Sequence, residues 1–294
     1  MTTPLVSDEI ASQPDTWRQA AALAATSPLP EHGLRVAVVG CGTSWFVAQA
    51  YAARRESLGH GVTDAFAASE YPEGRDYDLV VAITRSGTTT EVLDLLGELR
   101  GRVRTLAIIG DPDSPGRDAA DDVVTLPFAD ERSVVQTRFA TSALTLLRAG
   151  LGEDTAALAT AAEDVVRWPV PAELLAKTQF TFLGRGFSVG LAHEAALKGR
   201  EAALAWTESY PAMDYRHGPK SISDGDSAVI FFGPRPEGLV AEVEATGALV
   251  HYFDEDPQLT LVRCQRLAVA YALAKGLDPD RPRNLTRSIV LAGE

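Results

Sequence analysis

The chain has 294 residues, 46% hydrophobic and 23% charged, with 27 basic against 40 acidic side chains and a formal net charge of -13. That composition excludes disorder for most of the chain, and its negative balance argues against a general nucleic-acid binder, which needs a basic face. Cys41 and Cys264 are too few for a disulfide framework or a Cys-rich zinc site, and they fit a reducing cytoplasm.

No stretch approaches the ~18–20 apolar residues of a membrane span. Residues 1–9 lack the basic region and apolar core of a secretory signal, so a cytoplasmic protein without a membrane partner is expected. Residues 5–25 read as helix interrupted at Pro14, and Ser27-Pro28-Leu29-Pro30 ends it. Residues 34–39 form an apolar, β-branched run into Gly40-Cys41-Gly42, which reads as a buried strand and a tight turn. A helix is expected over 45–58, capped by Thr43 or Ser44 and closed by Gly59.

The pattern recurs. Residues 78–84 are a second buried strand, 85–90 a hydroxyl-rich turn, and 91–100 a helix with Val92, Leu95, Leu96 and Leu99 on one face. Strands follow at 105–109 and 122–126, and the spacing predicts a long helix over 134–149. After a polar, Ala-rich stretch and Trp168-Pro169-Val170-Pro171, residues 180–183 are again a strand, followed by Gly184-Arg185-Gly186 and a helix to about 205. Residues 36–44 (VAVVGCGTS) and 180–188 (FTFLGRGFS) repeat one design about 144 residues apart, and the strand at 228–232 answers the second strand of the first half. Strands alternating with helices imply parallel sheets covered on both faces, here in two α/β halves of similar fold.

Two turns stand where an anion could bind. Gly40-Cys41-Gly42-Thr43-Ser44 opens a helix whose N–H groups and dipole favour negative charge. It lacks the third glycine of a dinucleotide loop and the Gly-Lys-Ser/Thr ending of a P-loop. Thr84-Arg85-Ser86-Gly87-Thr88-Thr89 gathers hydroxyls and a guanidinium at a second strand-to-helix junction. Two such turns on one sheet make a phosphate crevice, where the bland alternative is a pair of capped helices. Glu194, Lys198 and Glu201 share one helix face, which by itself reads as a surface ion-pair stripe. His217 lies beside Gly218-Pro219 on a fixed loop, suited to proton transfer, or else is a surface histidine. The five histidines show no paired ligand spacing, so no metal is expected.

Taken together these segments resemble the sugar isomerase (SIS) family, in particular the isomerase part of glutamine–fructose-6-phosphate amidotransferase. The resemblance runs over nearly the whole chain. Cys41-Gly42-Thr43-Ser44 matches that family's first phosphate loop, and Ala68-Ser69-Glu70-Tyr71 its Ala-Ser-Glu-Phe segment. Residues 84–89 stand where it has Ser-Gln-Ser-Gly-Glu-Thr, and residues 194–201 match its Glu-Gly-Ala-Leu-Lys-Leu-Lys-Glu helix. His217-Gly218-Pro219 and Pro282-Arg283-Asn284-Leu285 follow in order. The resemblance implies tandem SIS domains, each a flavodoxin-like three-layer αβα half, over 29–160 and 161–294, after a helical segment 1–28. It implies that Gly42, Thr43, Ser44, Thr84, Arg85, Ser86, Thr89, Val134 and Gln136 bind a phosphorylated sugar. Glu201 would move the proton between C1 and C2, His217 from a neighbouring subunit would open the ring, and Lys198 would support the site. No cofactor is implied, and a homodimer or higher homo-oligomer with a shared site is.

Three departures bear on the reaction. A glutaminase domain with its N-terminal Cys does not precede the isomerase part, so glutamine is not expected as nitrogen source within this chain. Arg287 replaces the tail lysine that forms a Schiff base in the synthase, and arginine stays protonated. Arg85 and Gln136 replace a Gln and a Ser of the synthase. Arg216-His217-Gly218-Pro219-Lys220-Ser221 and Arg85-Ser86-Gly87 look more like the stand-alone deaminase/isomerases of the tagatose-6-phosphate ketose/aldose isomerase type. The expected function is a phosphosugar isomerase that releases ammonia from a hexosamine 6-phosphate. The alternatives are a sugar-phosphate sensor and an isomerase subunit fed by a separate glutaminase.

Overall fold

The computed structural model describes residues 3–291. Two helices open it, α1 (Leu5–Ala11) and α2 (Gln13–Leu23), with Pro14 in the first turn of α2, where its missing N–H is harmless. There follow β1 (Val36–Gly40), α3 (Thr43–Ser57), β2 (Thr63–Ala67), β3 (Leu79–Thr84), α4 (Thr90–Leu99), β4 (Arg104–Ile109), β5 (Asp122–Thr125) and α5 (Arg138–Gly150). After α6 (Thr155–Val165) and the short α7 (Ala172–Leu175) come β6 (Gln179–Gly184), α8 (Ser188–Ala203), β7 (Trp206–Pro211), β8 (Ser227–Phe232), α9 (Leu239–Glu244), β9 (Leu249–Tyr252) and α10 (Pro257–Ala274).

All strand pairings are parallel, in two sheets. The first has the order β2-β1-β3-β4-β5 and the second β7-β6-β8-β9. The first is the doubly wound 2-1-3-4-5 order, whose ligands bind outside the carboxyl ends of the strands. β1, β3 and β8 are buried along their whole length, as parallel strands under helices on both faces must be.

The chain forms two compact units that are not contiguous in sequence. One comprises residues 12–132, 136–160 and 286–294; the other residues 1–11, 133–135 and 161–285. They depart from the blocks 1–28, 29–160 and 161–294 at three places. α1 belongs with the second unit because the Asp280 carboxylate accepts the Leu5 and Val6 N–H groups, at 2.7 and 2.8 Å. Residues 133–135 join it too: Ser133 donates through N–H and Oγ to the buried Glu9 carboxylate. The C-terminal tail belongs with the first unit. In the first unit Val39, Val80, Ala82, Val92, Leu96 and Leu99 pack one face of the sheet against α4. In the second, Leu183, Tyr215, Val229, Phe231, Leu239 and Val243 do the same beneath α9.

Two local expectations need correction. Thr43 and Ser44 do not cap α3; Gly42 is its N-cap and both hydroxyl residues are buried in the first turn. α5 begins at Arg138, not 134. The buried Glu131 carboxylate accepts the Thr137 N–H at 2.6 Å, the Thr137 hydroxyl at 2.7 Å and the Arg138 N–H at 2.8 Å. That cap stops the helix from extending back into 134–137.

Candidate functional site

In the first unit, β1 and β3 each end in a loop that opens a helix. At Gly40 an added Cβ would lie 2.7 Å from the Ser44 Cβ, so only glycine lets the turn fold this tightly. At Gly87 the backbone has φ +60°, and a Cβ would meet the Ser114 Oγ at 1.9 Å. The Gly87 carbonyl accepts the Gly116 N–H at 2.8 Å, and the Arg85 carbonyl accepts those of Gly110 and Asp111. The loop 84–89 is therefore fixed from below by backbone bonds, leaving its hydroxyls on the other side. Ser86 and Thr84 are buried, Thr88 and Thr89 half-buried, and the Thr84 and Thr89 hydroxyls face each other at 3.5 Å.

The tail crosses this loop. Ser86 Oγ and Thr88 Oγ1 both donate to Ser288 Oγ, at 3.1 and 2.9 Å. The Thr90 N–H donates to the Ile289 carbonyl at 3.2 Å, and the Leu291 N–H to Thr90 Oγ1 at 2.9 Å. Arg85 is buried, 3% exposed, and does not project from the loop with the hydroxyls. Its Nη2 donates to the Arg287 carbonyl at 2.7 Å, and its Nη1 lies 3.8 Å from Glu131 Oε2. The Arg287 guanidinium in turn donates to both Asp130 oxygens, at 2.5 and 2.6 Å. Gln136 Oε1 is buried and accepts no hydrogen bond among the described residues, an orphan acceptor of the kind a ligand relieves.

In the second unit, α8 carries Glu194, Lys198 and Glu201. They are no surface stripe. The Glu194 and Lys198 side chains are 0% and 1% exposed and lie 3.3 Å apart, while Glu201, 20% exposed, bonds to the same ammonium. The buried Lys198 side chain lies between two carboxylates and fixes one of them, Glu201, that still reaches solvent. His217, past the end of β7, is exposed and makes no hydrogen bond or ion pair among the described residues.

The second unit does not bring Glu201 and His217 together. α8 starts at the carboxyl end of the sheet, where Ser188 Oγ donates to the Phe232 carbonyl at 2.8 Å. It runs back until Arg200 donates to the Thr207 carbonyl at 3.2 Å, at the start of β7. His217 follows the other end of β7, where the Ala212 N–H meets the Gly184 carbonyl. Six strand residues at ~3.3 Å each separate the two by about 20 Å along the sheet. Gly42, Thr43, Ser44, Thr84, Arg85, Ser86, Thr89 and Gln136 all lie in the first unit; Val134 lies in the second, its N–H on the Asp280 carbonyl. Sequence reading missed Asp130, Glu131 and Ser288; only the carboxylate pair just upstream of the Gln136 segment could have hinted at them. Among the described residues no cluster of three His, Cys, Asp or Glu is placed to hold a metal ion, and no helix is long and apolar enough to cross a membrane.

Residues 31–149 match the family model of the SIS domain. That matched segment contains both hydroxyl-bearing loops and the Glu131 cap. Over 305 residues the chain is 30% identical to an isomerizing glutamine–fructose-6-phosphate aminotransferase of Legionella pneumophila, covering 86% of this chain and 50% of that one. It thus spans about half the length of the curated relatives it matches. A solved glucosamine-6-phosphate deaminase from Thermotoga maritima superposes with a TM-score of 0.84 at 25% identity, covering 97% of this chain and 98% of that one. The tagatose-6-phosphate ketose/aldose isomerase of Escherichia coli shares the fold, with a TM-score of 0.74 at 18% identity over 98% and 96% of the two chains.

Proposed function

We propose that this SIS-domain protein is a phosphosugar isomerase that deaminates a hexosamine 6-phosphate. The observation that carries this reading is Glu201, a carboxylate that reaches solvent while seated on a buried lysine. Ser44, Thr84, Ser86 and Thr89 are assigned to the phosphate, Gln136 to the sugar, and Arg85 to bracing the loop from behind. In the open aldose, Glu201 takes the C2 proton and returns it to C1, while the C1 oxygen gains a proton and the C2 amine loses one. The resulting C2 ketimine is hydrolysed by water, which supplies the ketone oxygen as nitrogen leaves as ammonia. No enzyme amine is needed, consistent with an arginine at 287 whose guanidinium is tied to Asp130. His217 from a second copy is assigned to ring opening. We also read the second unit, with strand order β7-β6-β8-β9, as a diverged second SIS domain.

The second reading, an isomerase subunit supplied with ammonia by a separate glutaminase, is supported by the 30% identity over 305 residues to an isomerizing glutamine–fructose-6-phosphate aminotransferase. A panel of hexosamine and ketose 6-phosphates, scored for ammonia and for C2 hydrogen exchange in D2O, separates the readings. Deamination supports the first; ketose amination that occurs only with added ammonia supports the second. Binding without any exchange overturns both and leaves a sensor. Glu201→Gln should cut turnover by about 10²–10⁴-fold with sugar-phosphate binding nearly intact.

A further inference from the structure

The segment that carries His217 is held in an unusual way. Tyr215 is fully buried in the core of the second unit, and its hydroxyl bonds to Ser223. On either side of the histidine stands a cation, and both go to one carboxylate. Arg216 donates from Nε to the two Glu242 oxygens, at 3.0 and 3.2 Å, and from Nη2 to Oε1 at 2.8 Å. Lys220 Nζ donates to Glu242 Oε2 at 2.8 Å. Arg216 Nη2 also holds the Glu237 carbonyl at 2.7 Å. Glu242 itself is on α9, which Leu239 and Val243 anchor in the core. Between the two tied residues the His217 side chain is exposed and makes no hydrogen bond or ion pair among the described residues.

We propose that Glu242 is a positioning residue for His217: one carboxylate closes the segment 216–220 into a loop and fixes where its imidazole projects. The two cations also hold the Glu242 carboxyl at a pKa of about 2, chiefly through the Arg216 and Lys220 hydrogen bonds, so the tie persists at any pH at which an enzyme works. A histidine that must reach a substrate held elsewhere gains from such a fixed base, because a misplacement of about 1 Å can cost ~10²-fold in rate. This inference rests on the proton-transfer role given to His217 above.

A double-mutant cycle on the full chain tests it, with turnover of a hexosamine 6-phosphate as readout. His217→Ala should lose activity. Glu242→Gln should lower kcat by about 10–100-fold, with KM within about twofold and the melting temperature nearly unchanged. The pair combined should be no worse than His217→Ala alone, since Glu242 acts only through the imidazole. Arg216→Gln, which removes one arm of the tie, should show a milder loss of the same kind. A fully active His217→Ala would overturn both the role of His217 and the positioning proposal. An impaired His217→Ala beside a fully active Glu242→Gln, or losses that multiply in the double variant, would overturn the positioning role alone.

Discussion

Ser86 Oγ donates to Ser288 Oγ at 3.1 Å and accepts the Thr88 N–H at 3.2 Å. A phosphate held there must exchange the Ser288 contact for one to its own oxygens, which are better acceptors because they are charged. Ser86→Ala removes one such bond, worth about 1.5–3 kcal/mol, or roughly 10–150-fold in affinity. Titration calorimetry with a sugar phosphate measures it, and wild-type affinity in the variant would reduce the loop to a helix cap. In the second unit Arg235 stacks 4.0 Å over Tyr252 and pairs with Asp254, so Arg235→Ala should leave phosphate affinity unchanged. At this scale the residue types were legible in the sequence, but the direction in which each side chain points was not. Arg85 reads as a phosphate ligand from its neighbours alone. Its burial, and its bonds to the Arg287 carbonyl and toward Glu131, depend on residues about 200 and 46 positions away that no local pattern connects to it.

Among elements, the central strands were legible, and of the edge strands only β5 was. β1, β3, β4, β6 and β8 are apolar runs, because a central parallel strand is covered on both faces. β2, β7 and β9 went unread, and all three are edges of their sheets, with mixed sequences such as Trp-Thr-Glu-Ser-Tyr-Pro. α10 escaped for the opposite reason: it is buried nearly all round, so no amphipathic period marks it. The element that fixes α3 to α5 in the first unit is also invisible locally. Glu153 accepts from Arg54 at 2.9 Å and from Arg148 at 2.8 Å. Burial alone would raise the Glu153 carboxyl, but the two guanidiniums more than offset it and hold it below the usual range. A depressed carboxyl contributes stability above its unfolded pKa of about 4.3 and loses it as pH falls through the folded value. Glu153→Gln should therefore cost about 3 kcal/mol at neutral pH, by leaving Arg148 buried without its counter-charge. Calorimetry should find the gap between variant and wild type closing as the solution is acidified below about pH 4. Gly87→Ala is the sharper test of the loop: the clash with Ser114 and the positive φ should lower the melting temperature and abolish sugar-phosphate binding together.

For the whole molecule the decisive fact is the direction of the second sheet. Parallel strands put the start of β7 and its end on opposite rims, so Glu201 and His217 are separated by about a strand's length, ~20 Å, whatever the side-chain rotamers. Both ends are held: Tyr215 seats the His217 segment in the core of that unit, and Arg200 ties the end of α8 to the start of β7. If both groups serve one substrate, two chains must supply them, and each must offer its own His217 while receiving the other's, as a two-fold interface requires. Glu201→Gln protein and His217→Ala protein should each be nearly inactive alone. Mixed in equal amounts under conditions that allow subunit exchange, half of the dimers are heterodimers, and each of these contains one site with both groups intact. About a quarter of the wild-type turnover per site is then expected to return, with the KM of the wild type. A mixture that stays inactive after exchange has been verified by mass spectrometry, or an active wild-type monomer by light scattering, would place both groups within reach of one another in a single chain and contradict the geometry of β7.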